Sequence, residues 1–104
     1  MYEVTTQFDR PSADIPYYID TDPALKLEFM EFVDNCFNHV WPGTTMYTVE
    51  ESDLRQITIV TYSDQETLIN FLSWHEWAFP TFFADRDAYC AANNITITRT
   101  ERPS

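Results

Sequence analysis

The chain has 104 residues, with 17 Asp and Glu against six Lys and Arg for a formal net charge of −11, and it is 44% hydrophobic and 16% aromatic. That length fits one domain spanning residues 1–104, and three Trp, six Tyr and eight Phe supply enough apolar area to exclude wholesale disorder. The charge repels phosphates, which excludes direct binding of nucleic acid or of an anionic membrane and leaves basic proteins as natural partners. No run approaches the ~18 to 20 apolar residues of a membrane span. Met1-Tyr2-Glu3 lacks the basic and apolar start of a secretory signal, so a cytoplasmic protein is expected.

Tyr2, Val4, Thr6 and Phe8 alternate with Glu3, Thr5 and Gln7, the period of a strand with one wet face. Pro11, Asp14 and Pro16 then break regular pairing, and Tyr17, Tyr18 and Ile19 form an apolar patch under the loop. Asp22-Pro23 predicts a helix start, with a carboxylate at the N-cap and a proline at N1 where its missing N–H is harmless. From Leu25, the residues Phe29, Phe32, Val33, Cys36, Phe37 and Val40 share one helical face, and Glu28, Glu31 and Asp34 the other. The helix should stop near Trp41, before Pro42 and Gly43.

Thr45 to Glu50 and Arg55 to Tyr62 read as a hairpin closed by Glu51-Ser52-Asp53-Leu54. Ser63-Asp64-Gln65-Glu66 has capping-box spacing, which makes Ser63 the expected N-cap of a second helix. Pro80 breaks or kinks that helix, Phe82 to Ala92 is helical again, Asn93-Asn94 ends it, and Ile95 to Thr100 alternates as a last strand ahead of a polar tail. Among strand residues, one parity collects Val4, Phe8, Tyr47, Val49, Ile57, Ile59, Ile95 and Ile97 and is expected beneath the helices. The other collects Glu3, Thr5, Gln7, Met46, Thr48, Glu50, Gln56, Thr58, Val60, Tyr62, Thr96 and Thr98, a mostly polar face open to solvent or to a modest homodimer contact.

The order strand, helix, strand, strand, helix, strand resembles the α+β ferredoxin-like βαββαβ sandwich, a four-stranded antiparallel sheet with helices on one face. Within that group it is similar to the dimeric α+β barrel superfamily, which includes antibiotic-biosynthesis monooxygenases and haem-degrading proteins. The resemblance rests on element order and spans nearly the whole chain. It implies pairing of two sheets, and for the haem-degrading members an Asn, a Trp and a His in set places. Here strand one has no Asn, and Trp74 and His75 are sequence neighbours.

Chemistry-bearing motifs are sparse. Cys36 and Cys90 lack CxxC spacing and read as two buried thiols rather than a disulfide or zinc pair. Two distant histidines give no metal set, and a single glycine builds no phosphate loop, dinucleotide fingerprint or nucleophile elbow, so no cofactor is expected. Two candidate sites stand out. The carboxylates Asp20, Asp22, Glu28, Glu31, Asp34, Glu50, Glu51 and Asp53 form a surface for a basic protein, including one that handles nucleic acid, whose groove a carboxylate row would fill as a mimic of phosphates. The leading expectation is therefore a non-enzymatic adaptor or inhibitor. The alternative is a cofactor-independent, monooxygenase-like enzyme or a binder of small apolar ligands, with a pocket drawn from Tyr62, Trp74, His75, Trp77, Phe82 and Tyr89.

Overall fold

The computed structural model describes residues 1–103. Its strands are β1 (Tyr2–Asp9), β2 (Thr45–Ser52), β3 (Arg55–Tyr62) and β4 (Thr96–Pro103), and its α-helices are α1 (Pro23–Asn35), α2 (Gln65–Ala78) and α3 (Phe82–Ala92). The strands form one antiparallel sheet in the order β2-β3-β1-β4, as the ferredoxin-like arrangement requires. The fold class expected from element order is the fold observed.

Local chemistry sets most boundaries. Asp22 caps α1, its carboxylate accepting from the Ala24 and Leu25 amides at 3.1 and 3.2 Å. The helix continues through a π-helical turn at Cys36–Val40 and ends at Trp41, where Gly43 takes the positive φ of 99° that the following turn needs. Asn94, at φ 56°, closes α3 in the left-handed conformation that asparagine tolerates. Two boundaries depart from expectation. Asp64, not Ser63, caps α2, because its Oδ1 accepts from both the Thr67 amide and the Thr67 hydroxyl at 2.8 Å. The polar tail is no tail: Glu101 to Pro103 continue β4, opposite Val4 to Tyr2 of β1.

The largest correction concerns the faces of β2 and β3. Val4, packed in the core, lies opposite Val60, and Val60 lies opposite Met46. Residues opposite each other share a face, so Met46, Val60 and Tyr62 turn toward the helices, while Tyr47, Val49, Ile57 and Ile59 turn to the uncovered side. Tyr47 and Val49 are exposed there. The uncovered face is thus more apolar than its expected composition, and the covered face more polar.

The core occupies one end of the covered face. Val33, Cys36 and Phe37 from the first helical segment and Leu68 and Phe71 from α2 close over Val4 and Tyr62. Both cysteines are free and buried, and burial pushes their thiols up, so they pack as small protonated hydrophobes.

Candidate functional site

Beyond the core, the next row of the sheet under the helices runs Thr48, Thr58, Thr6 and Arg99 across four strands. Three short hydroxylated side chains stand where Ile or Leu would fill the gap beneath a helix. A cavity of about 790 Å³ opens there between sheet and helices, within the range of small-molecule sites. Its floor is mixed: Thr6, Thr48 and Thr58, with the Thr48 and Thr58 hydroxyls 3.3 Å apart, then Gln56 and Glu50 on one side, and the apolar Val4, Met46 and Val60 of the core on the other. Its roof is apolar and aromatic, made by Phe29, Met30, Val33, Phe82 and Phe83 of the helices.

The loop from Arg10 to Tyr17 closes one flank. Arg10 ties it down, donating to the Asp53 and Ile15 carbonyls at 2.8 Å each and laying its guanidinium 4.4 Å from the centre of the Tyr17 ring. Tyr17, a lining residue of the cavity, is buried against Phe8, with burial raising its phenol, and its buried hydroxyl has no hydrogen-bond partner. Tyr89 braces the same loop from outside, donating to the Pro16 carbonyl at 2.6 Å.

His75 projects from α2 into a shell of rings, with Phe29, Phe32, Phe71, Phe79, Phe82 and Phe83 centred 4.5 to 6.1 Å away. It is 1% exposed, it lines the cavity, and neither Nδ1 nor Nε2 has a partner. Desolvation, helped by the nearby Arg86 charge, pushes its pKa down to about 4, so the ring is neutral at pH 7. A general base works best with a pKa near the operating pH and with a group to orient it. This imidazole has neither advantage. Its donor and its acceptor are both enclosed by the surrounding rings.

Of the pocket residues expected from sequence, Tyr62, His75 and Phe82 line the cavity, and burial raises the Tyr62 phenol so that it stays protonated. Trp74, Trp77 and Tyr89 do not belong to it. Helical geometry separates them: His75 shares a face with Leu68 and Phe71, whereas Trp77 lies about half a turn round the helix and is 87% exposed. Trp74 leans on Trp41, ring centres 5.0 Å apart. The floor threonines, Tyr17 and Phe29 were missed, although Thr6 between Val4 and Phe8 is a visible signal of a polar residue on the covered face.

The carboxylates are also redistributed. Asp22 caps α1, Asp20 pairs with Lys26 at 2.6 Å, Glu51 pairs with Arg55 at 3.5 Å, and Glu50 lines the cavity edge. Glu28, Glu31, Asp34 and Asp53 stand exposed. Among the described residues, no group of three His, Cys, Asp or Glu could hold a metal ion, and no helix is long and apolar enough to cross a membrane.

No family model and no curated protein matches the chain. Among solved structures it is similar to a dimeric ferredoxin-like protein from an uncultured marine organism, at 13% identity and a TM-score of 0.48, over 97% of this chain and 92% of that one.

Proposed function

We propose that this protein binds a small molecule with an apolar body and a polar edge in the cavity between sheet and helices. The observation that carries this reading is the cavity itself, which runs over core residues such as Val4, Tyr62 and Phe71 and adds the threonines Thr6, Thr48 and Thr58 on the sheet beneath phenylalanines of the helices. An amphipathic guest satisfies both surfaces at once. N-Phenyl-1-naphthylamine, an uncharged probe that brightens in apolar sites, should bind saturably at one site per chain. Thr58→Phe, which fills the floor with a residue well suited to a strand, should weaken that binding by about tenfold or more while circular dichroism stays native. A native-like Thr58→Phe protein that binds the probe as tightly as the wild type removes the cavity from consideration.

A second reading draws support from where the charge lies. Residues 18–40 and 64–92, the helical layer, carry ten of the 17 carboxylates against Lys26 and Arg86 alone. Exposed Trp77 and Ile69 lie on the same layer, and aromatic anchors ringed by charge are common at interfaces. This supports docking of a basic protein, including one that handles nucleic acid, on the helices. Association with an oligolysine peptide should slow as salt rises. Charge reversal at Glu28, Glu31 and Asp34 should weaken it more than reversal of Asp14, Glu51 and Asp53, and equal effects would reduce α1 to a solvated face. The uncovered sheet face, with Tyr47, Val49, Ile57 and Ile59, supports a homodimer, for which a monomeric mass in sedimentation would be decisive evidence against.

A further inference from the structure

We propose that the cavity takes a lipophilic cation, its apolar body under the helices and its single positive charge beside Glu50, an inference that rests on the cavity being a ligand site. The charged lining residues are Asp20, Lys26, Glu50, Arg86, Asp87 and Arg99. The cations among them are already neutralised by contact: Lys26 by Asp20 at 2.6 Å, Arg86 by Asp87 at 3.2 Å, and Arg99 by Glu101 of its own strand at 2.6 Å. Glu50 is left over. Among the described residues, its carboxylate has neither an ion pair nor a hydrogen bond.

The register places this charge on the cavity side of the sheet. Glu50 stands opposite Gln56, and Gln56 opposite Phe8, so all three share the covered face in the row next to the threonines. The same carboxylate reaches Tyr17: burial raises that phenol, Arg10 opposes the rise, and the Glu50 charge adds to it. Arg10 lies against the Tyr17 ring and donates to the Asp53 and Ile15 carbonyls, forming no salt bridge with Glu50. Arg99 is too far to serve, on the opposite edge strand and three strand spacings away, or about 14 Å. Gln56 and Thr48, the neighbours of Glu50 on this face, add acceptor oxygens and no positive charge. An ion deep among the rings would be costly, but Glu50 is exposed, so a cationic head there stays hydrated while its body enters. The field of a chain at −11 acts in the same direction, drawing cations and repelling anions.

Probes of one shape and three charges test this on the full chain: benzyltrimethylammonium, its uncharged carbon isostere neopentylbenzene, and the anion benzylsulfonate. Titrations followed by protein NMR belong at physiological ionic strength, where a Debye length of about 8 Å screens the distant carboxylates. The cation should bind about fivefold tighter than its hydrocarbon isostere, the upper end for an exposed ion pair, with the sulfonate weakest and the Thr48 and Gln56 signals moving. Glu50→Gln should bring cation and hydrocarbon within about twofold. Glu28→Gln, which removes an equal charge from an exposed position on α1, should leave the fivefold preference. Equal binding of the isosteres, tighter binding of the sulfonate, equal losses in the two variants, or shifts that bypass Thr48 and Gln56 would each overturn the proposal. If N-phenyl-1-naphthylamine binds and the cation has no advantage over its isostere, this inference fails while the cavity reading stands. If none of these compounds binds, the cavity reading falls with it.

Discussion

Replacing Phe71 by alanine lowers the free energy of unfolding by about 3 to 5 kcal/mol, the range for deleting a buried aromatic ring. Phe71 is buried on α2, and its ring centre lies 4.9 Å from Phe37, 6.0 Å from both Phe32 and Tyr62, 6.1 Å from His75 and 6.4 Å from Trp41. One side chain thus joins the first helical segment, its end at Trp41, the last residue of β3 and α2 itself. Collapse into the vacated space is opposed by the rings already packed around it, so the loss should sit at the upper part of that range. Small domains are stable by only about 5 to 15 kcal/mol, which makes this variant marginal at room temperature. Urea titration gives the number directly. A midpoint that moves by less than the equivalent of 1 kcal/mol would mean that the helices are not organised around this ring.

Acidification from pH 7 to pH 4.5 destabilises the protein through His75 by between about 2 and 3 kcal/mol. The folded-state pKa is pushed down to about 4 by burial, against 6.5 for the free side chain. Above pH 6.5 both states hold the ring neutral and the group contributes no pH dependence. Below it the unfolded chain takes up a proton that the native protein refuses until about pH 4, so stability falls across that window and levels off beneath it. Carboxylates move the total as well. Arg55 and Gln7 hold Asp9 below the usual carboxylate range, the Thr67 amide and hydroxyl do the same for Asp64, and neutralising part of a −11 charge relieves repulsion. The comparison that isolates His75 is therefore a double difference. His75→Phe should gain on the wild type by that amount between pH 7 and pH 4.5, both measured in denaturant. A gap that stays constant with pH would mean the imidazole is protonated in the folded protein as readily as in water.

Candidate site residues divide by whether their role is local. Asp22 and Pro23 could be read as a helix start because a cap needs only its own next three residues, and Gly43 because a positive φ is a property of one residue. Asp64 was displaced by its neighbour Ser63 in the reading of the sequence, since either residue can cap and only the path of the chain leaving β3 chooses between them. His75 was read into a pocket with Trp74, Trp77 and Phe82, but Phe29, which packs edge-on against it, lies on α1, far away in sequence.

The order of elements was determined by the sequence alone, because it follows from periodicity and from side chains acting within one turn, whereas the single layer of helices came from the resemblance that this order carries. The two sheet faces were decided only in three dimensions. β2 and β3 carry apolar residues at both parities, Tyr47 and Val49 against Met46, Ile57 and Ile59 against Val60 and Tyr62, so hydrophobic alternation gives no preference. Pairing with β1 settles it by placing Val4 opposite Val60. The same pairing aligns Thr48, Thr58 and Thr6 from three strands into one row, which puts short hydroxylated side chains into the lining of the cavity beneath the helices.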